Sequence, residues 1–229
     1  MTAAIWRLVI GNKNTSSWSL RPWLALRRLG LPFEEIAIDL RASDKKSRSL
    51  AHSPSGKVPA LQADGLTIWD SLAILEYVAD YHPHPGLWPR EQQARAIARS
   101  VSAEMHSGFQ ALREHCPMDL LGRAPMPVLP EAVAADVRRI VALWRDVRDR
   151  FGAAGPFLFG DFSAADAMFA PVASRFRTYL PEFAGYGDDG IAAAYVETIF
   201  AMPEMMEWEA GARAEIAARA ALAGSAGAA

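Results

Sequence analysis

The stretch that most constrains this chain is Ser53-Pro54-Ser55-Gly56-Lys57-Val58-Pro59-Ala60-Leu61, continued through Ala63-Asp64-Gly65 into Leu66-Thr67-Ile68-Trp69-Asp70-Ser71-Leu72-Ala73-Ile74. It reads as a short apolar strand entered through a proline, a glycine-containing turn, a second strand of alternating character, and a Ser that opens an amphipathic helix. Proline has no N–H to give a ladder and is held to an edge or a strand start, so one side of the Val58-Pro59 strand should stay open. A cis bond before Pro59 would turn the N–H and C=O of Val58 outward, where an extended peptide can pair with them as an added strand. Asp70 and Ser71 stand where the next helix begins, and the unpaired N–H groups of a helix start attract a carboxylate. One face of this unit can therefore hold both a peptide backbone and the same peptide's terminal carboxylate.

Upstream, Ile5-Trp6-Arg7-Leu8-Val9-Ile10 reads as a first strand buried on both faces. A polar loop from Asn12 to Ser17 leads into a helical pattern that ends at Gly30. Pro22 should fall in the first turn of that helix, where donors lack intrahelical partners; Ser19 as N-cap satisfies this, and so does Trp18. Ser16 and Ser17 then lie just before the helix, near its positive end. A thiol bound there would lose its proton more readily, since oriented hydroxyl donors and the helix dipole both favour the thiolate. By composition alone, Thr15, Ser16 and Ser17 also read as ordinary loop and capping residues. Phe33 to Ile38 is a second strand, parallel to the first across a helical crossover. Asp39 to His52 is a short irregular helix and loop. Its Lys45, Lys46 and Arg48 form either a solvated face or a contact for a ligand carboxylate, a role for which Lys57 is better placed. Strands over 58–62 and 66–69 and a helix over 71–81 complete a βαβ-α-ββα layout.

His82-Pro83-His84-Pro85-Gly86-Leu87-Trp88-Pro89 holds three prolines and a glycine, which breaks any helix and marks a linker over 82–89 between a domain of residues 1–81 and one of residues 90–229. Beyond it the pattern is helical. Ile97, Val101, Met105, Phe109 and Leu112 recur at helical spacing from Arg90 to His115, as do Val133, Val137, Ile140, Trp144, Val147 and Phe151 in the next segment. Both stripes read as bundle core, with Met105 and Phe109 also available to an apolar pocket. Ser163 with Asp166 three residues on reads as a capping box before an apolar run, with Asp166 buried. The end of the chain from Ala218, rich in Ala and Gly, is expected to fray.

A formal charge of −2 and a pI near 6.2 give no basic field for nucleic acid or an anionic membrane surface, so the partner expected is a small molecule. The first residues lack the regions of a secretion signal and no apolar run approaches a membrane span, which reads as cytosolic. The single cysteine, Cys116, excludes an internal disulfide and a multi-Cys zinc site, and is expected to be buried and inert. His82 and His84 lack metal-ligand spacing on a helix face, and no metal is expected.

The run from Gly56-Lys57-Val58-Pro59 through Trp69-Asp70-Ser71 to Tyr77 resembles the glutathione-binding half of the cytosolic glutathione transferases, and the Ser163/Asp166 cap resembles the one in their helical domain. Ser16-Ser17-Trp18-Ser19-Leu20-Arg21 resembles the Ser-x-x-Ser-x-Arg opening of their serine-type classes, closest to zeta- and tau-like bacterial members. The resemblance implies an α/β thioredoxin-like N-terminal domain followed by an all-α domain, in a homodimer. It also implies that Ser16 activates the glutathione thiol with Ser17 as an adjacent donor. Lys57, Val58, Pro59, Asp70 and Ser71 would bind glutathione, and Trp18, Met105 and Phe109 would line the electrophile pocket. Where zeta members, which include maleylacetoacetate isomerases, carry a Cys two residues after the first Ser, this chain has Trp18, which counts against that isomerisation. Where omega relatives carry Cys at the activator position this chain has Ser16, which counts against mixed-disulfide chemistry. The function implied is transfer of glutathione to an electrophilic small molecule. The alternatives are isomerisation or peroxide reduction on the same site, or a non-catalytic binding module.

Overall fold

The computed structural model describes residues 5–82 and 86–226, with side chains as far as Leu222 in the last helix. Pro83, His84 and Pro85, at the centre of the expected linker, lie outside the described residues, as do 1–4 and 227–229. Strand β1 (Trp6–Ile10), helix α1 (Ser17–Arg28) and strand β2 (Phe33–Ala37) are followed by α2 (Lys45–Leu50), the strands β3 (Ala60–Ala63) and β4 (Leu66–Trp69), and α3 (Ser71–Tyr81). The sheet order is β2-β1-β3-β4, with β1 parallel to β2 and the other pairs antiparallel. Because side chains alternate along a strand, Trp6, Leu8 and Ile10 enter the main core, while Val9 joins Ile38 and Ala60 in a smaller cluster on the opposite face. Asp64 (φ +51°) and Gly65 (φ +81°) make the two-residue turn between β3 and β4, the conformation that matches the twist of a tight hairpin.

The helical part comprises α4 (Gln92–Ser107), α5 (Gln110–His115), α6 (Glu131–Phe151), α7 (Ala164–Tyr179), α8 (Ile191–Phe200) and α9 (Pro203–Ala226). Helix α7 is its axis: every residue from Ala164 to Phe176 is buried, and α7 packs against α1 and α4. Trp144 of α6 closes on Phe169, Phe176 and Tyr195 with ring centroids 4.7–5.7 Å apart. The N–H and O–H of Ser163 donate to Asp166 Oδ2 at 2.8 and 2.9 Å, and Leu158 N–H and Tyr195 O–H donate to Oδ1, each at 3.0 Å. Asp166 is fully buried.

Three expectations are corrected. Helix α1 starts at Ser17 with Ser16 as N-cap, so Pro22 lies in the second turn and the Trp18 carbonyl forgoes its helical donor. The stripe through Met105 and Phe109 is not one helix: α4 stops at Gly108, Phe109 turns to φ +60°, and the Arg113 side chain takes the carbonyls of Gly108, Met105 and His106 that the break releases. Where the sequence predicts fraying from Ala218, α9 instead continues to Ala226, through a segment in which alanine, the best helix former, predominates.

Candidate functional site

The site grows from two chain segments, one that follows β1 and one that leads into β3, which line a shared cavity. The first is the loop from Gly11 to Ser16, held by groups distant in sequence. Asn14 Nδ2 donates to Asp119 Oδ1 at 2.7 Å, and Asn14 Oδ1 accepts from Leu121 N–H at 3.0 Å. Lys13 N–H donates to Glu215 Oε2 at 2.9 Å, and its carbonyl accepts from Trp208 Nε1 at 2.8 Å. The Lys13 ammonium meets Glu35 at 2.7 Å and lies over the rings of Trp23 and Trp208. The loop delivering Ser16 to the start of α1 is thus clasped by α9 and by the segment after α5.

Ser16 and Ser19 are buried, and their hydroxyl oxygens are 2.8 Å apart. Ser19 Oγ also accepts from Gly11 N–H at 3.0 Å. Ser17, likewise buried, accepts from Arg175 Nη2 at 3.4 Å. Ser16 and Ser17 line a cavity of about 380 Å³ together with Lys45, Lys46, Gly56, Lys57 and Val58. Gly56 has φ +60°, and Lys46 Nζ lies 2.6 Å from where a Cβ would stand, so glycine lets the lysine cross the backbone here.

The second segment is the β3–β4 hairpin. The Val58–Pro59 bond is cis, and the β3 ladder begins only at Ala60, paired with Val9 and Trp69, so the backbone of Val58 stands outside it. Val58, Lys57 and Trp18 also border a second cavity of about 540 Å³, walled further by Ser55, Pro59, Trp69, Asp70 and Ser71. The two cavities share three residues and form one groove. At its far end Asp70, with φ +77°, caps α3: Oδ1 accepts from the N–H groups of Leu72 and Ala73 at 2.9 and 3.3 Å. A non-glycine residue in this region of backbone space is held there against a local cost. Asp70 Oδ2 faces His106 Nε2 of α4 at 3.2 Å.

The structure therefore brings Ser16, Ser17, Trp18, Lys57, Val58, Pro59, Asp70 and Ser71 to one groove. It does not bring Met105 and Phe109 there. Both are buried in the core, Met105 on the α4 face that also buries Ala98 and Val101, and α4 instead turns His106 to Trp18, whose ring it meets edge-on at 5.3 Å. Ser163 and Asp166 lie in the helical part, away from the lining of the groove. The sequence reading assigned no role to Arg21, Arg113 or Arg175. The guanidinium groups of Arg21 and Arg113 lie 4.3 and 4.9 Å from the Trp18 ring centroid, close enough for cation–π attraction. Burial pushes the pKa of Arg21 well below its ordinary value and that of Arg175 down to about 10, and in each case neighbouring guanidinium charge adds to the effect. The signal for two of them was legible: Arg21 and Arg175 each stand within otherwise uncharged, buried helical runs. His106 and Arg113 carried no such mark. Cys116 is fully buried and burial raises its thiol pKa, as suits an inert thiol. Among the described residues no helix is long and apolar enough to cross a membrane, and no three His, Cys, Asp or Glu side chains gather as a metal site would need.

Residues 15–80 match the family model described as glutathione S-transferase, N-terminal domain, and residues 130–214 the one described as glutathione S-transferase, C-terminal domain. Rat maleylacetoacetate isomerase is 32% identical over 179 residues, 75% of this chain and 79% of the relative. Mouse glutathione S-transferase theta-1 is 30% identical over 155 residues, 64% of this chain and 63% of the relative. The solved maleylacetoacetate isomerase of Anaeromyxobacter dehalogenans 2CP-1, with glutathione bound in its active site, is 28% identical with a TM-score of 0.59, covering 89% of this chain and 94% of its own. A glutathione transferase homolog from Burkholderia, solved with bound glutathione, shares the fold at a TM-score of 0.69 and 24% identity over 92% and 98% of the two chains. With both halves matched and a relative aligned over most of its length, the chain belongs to the cytosolic glutathione S-transferase family.

Proposed function

We propose that the chain is a glutathione transferase in which Ser16 donates a hydrogen bond to the glutathione sulfur and holds it as the thiolate for attack on an electrophilic carbon. The observation that carries this reading is the order of chemistry along one groove. Lys45 and Lys46 stand at one end, Lys57 and the backbone of Val58, outside the strand ladder, in the middle where the two cavities meet, and the α3 start with Ser71 and Asp70 at the other. Glutathione is an extended tripeptide with a carboxylate near each end and one ammonium group. Its cysteinyl unit pairs with Val58 beside Pro59, its γ-glutamyl carboxylate meets the N–H and hydroxyl of Ser71, its ammonium group faces Asp70, and its glycyl carboxylate faces the lysines.

This threading brings the sulfur toward Ser16. Ser19 Oγ already accepts from Gly11, and if Ser19 gives its own hydrogen to Ser16 Oγ, the Ser16 hydrogen is released for the sulfur. A hydrogen bond to an anion contributes about 1.5–3 kcal/mol, which lowers a thiol pKa by about one to two units. Ser17 stands as a second donor. The electrophile enters from the Trp18 side of the groove.

The test is a pH titration of bound glutathione by thiolate absorbance, for the wild-type protein, Ser16→Ala and Ser17→Ala. The expected result is a bound thiol pKa well below the free value in the wild type and raised by about one unit or more in Ser16→Ala. A pKa unmoved by Ser16→Ala and raised by Ser17→Ala would pass the role to Ser17. Absence of glutathione binding would refute the reading altogether.

A second reading is favoured by the relatives named maleylacetoacetate isomerase: the thiolate adds to a conjugated double bond, the adduct rotates about the former double bond, and the thiolate leaves, so that glutathione is recovered. Product analysis separates the two. A stable thioether supports transfer, and an isomerised product with undiminished glutathione supports isomerisation.

A further inference from the structure

Glycine is among the least favourable residues inside a helix, yet Gly211 stands within α9. A Cβ at this position would lie 2.7 Å from Cδ and 3.0 Å from Nζ of Lys13, so the missing side chain is what lets Lys13 lie along the helix. Trp208 stands three residues before Gly211 and Glu215 four after it, so all three share one helix face. Both turn to the same lysine: Trp208 Nε1 donates to the Lys13 carbonyl at 2.8 Å, and Glu215 Oε2 accepts from Lys13 N–H at 2.9 Å. One face of α9 thus receives the backbone and the side chain of a single loop residue. Lys13 has little room to yield, because its ammonium meets Glu35 at 2.7 Å and lies over the rings of Trp23 and Trp208, and its side chain is 13% exposed.

Lys13 also lies inside the turn that carries Ser16. The N–H groups of Thr15 and Ser16 both donate to the Asn12 carbonyl, at 3.1 and 2.8 Å, so the turn is closed on itself and a shift of Lys13 is passed on to Ser16. A hydrogen bond weakens with distance and misalignment, so a small displacement of the Ser16 hydroxyl weakens the bond it can give to a sulfur. Lys13, Trp208, Gly211 and Glu215 line neither groove cavity.

We infer that α9 is a positioning element for thiol activation: its Trp208–Gly211–Glu215 face holds Lys13 and, through the turn from Asn12 to Ser16, sets the place of the Ser16 hydroxyl. The inference rests on the role of Ser16 proposed above. It gives the helical part of the chain a share in the thiol chemistry without contact with glutathione, and it separates acidity from affinity, the first governed by the clasp and the second by the groove.

The test measures the bound thiol pKa by thiolate absorbance, and the glutathione Kd by calorimetry, for the wild type, Gly211→Ala, Glu215→Ala and Glu215→Gln. Gly211→Ala sets a methyl group against Lys13, and Glu215→Ala takes the acceptor from Lys13 N–H. Each is expected to raise the bound thiol pKa by about half a unit, about threefold in the ionisation constant. Kd should change by no more than that factor, because affinity is lost only through the thiolate. Glu215→Gln, which keeps an oxygen for that N–H, is expected to match the wild type. Added to Ser16→Ala, Gly211→Ala should give no further rise, since the group it displaces is gone. A merely structural helix would lower stability and leave the thiol pKa where it was. If Gly211→Ala does not fold, the two Glu215 variants decide. A bound thiol pKa unmoved in the folded Gly211→Ala and Glu215→Ala proteins, or a full further rise on top of Ser16→Ala, overturns the inference and leaves the glutathione site standing. A wild type whose bound thiol pKa is not lowered, or is unmoved by Ser16→Ala, overturns the reading of Ser16 and this inference with it.

Discussion

Asp166 offers the sharpest stability test, because its buried carboxylate accepts from four donors. Oδ1 serves Leu158 N–H and Tyr195 O–H, and Oδ2 serves Ser163 N–H and O–H, at 2.8–3.0 Å. Burial raises the carboxyl pKa and these bonds oppose the rise. Asp166→Ala leaves all four donors without their acceptor. At about 1 kcal/mol net for each bond, the loss is about 4 kcal/mol, reduced by the relief of an unfavourable buried charge to about 3 kcal/mol. Asp166→Asn is more telling. Its remaining oxygen satisfies one pair, but its amide faces the other pair, each of which contains a backbone N–H that cannot rotate away. The hydroxyl of that pair can turn to accept from the amide, but the backbone N–H loses its acceptor and is opposed by another donor, for about 1–3 kcal/mol in spite of the near-identical shape. The assay is equilibrium urea unfolding, read as a midpoint shift at constant slope. Since neither groove cavity includes Asp166, glutathione affinity of the folded variants should match the wild type. An Asn variant within 1 kcal/mol of the wild type would refute the acceptor argument.

Other expectations follow from the same geometry. Gly56→Ala places a side chain at φ +60° and a Cβ against Lys46 Nζ. It should cost about 1–2 kcal/mol in the same unfolding assay and weaken glutathione binding, whereas an unchanged unfolding midpoint would show that the backbone relaxes freely. Cys116, fully buried with its thiol pKa raised by burial, should label with iodoacetamide at neutral pH only as fast as the chain opens, and stoichiometric labelling of the folded protein within minutes would contradict the structure. Removing the Ser19 hydroxyl in Ser19→Ala strips Gly11 N–H of its acceptor and Ser16 of its neighbour. The bound thiol pKa, measured by thiolate absorbance, should rise by up to about one unit, less than for Ser16→Ala; an equal or larger rise would move the donor role to Ser19.

What the sequence determined by itself is what short-range chemistry decides. The hairpin turn at Asp64-Gly65, the strand entered at Pro59, the start of α3 at Ser71 and the Ser163/Asp166 cap are each written in residues a few positions apart, because backbone dihedrals and capping bonds are satisfied locally. The groove residues near those signals, Lys57 to Pro59 and Asp70 to Ser71, were legible for the same reason. Tertiary structure decided the rest. Whether α4 turns Met105 or His106 to Trp18 depends on how the helix rolls on α7, and one residue of helix rotates a side chain by roughly 100°. The anchoring of Lys13 by Trp208, 195 residues away, and the convergence of Arg21, Arg113 and Arg175 around Trp18 and Ser17 join helices that no local pattern links. A lone arginine in an apolar run announces that it has a purpose, but only the packed neighbours reveal which carbonyls, rings and hydroxyls it meets, and which of its nitrogens are left over.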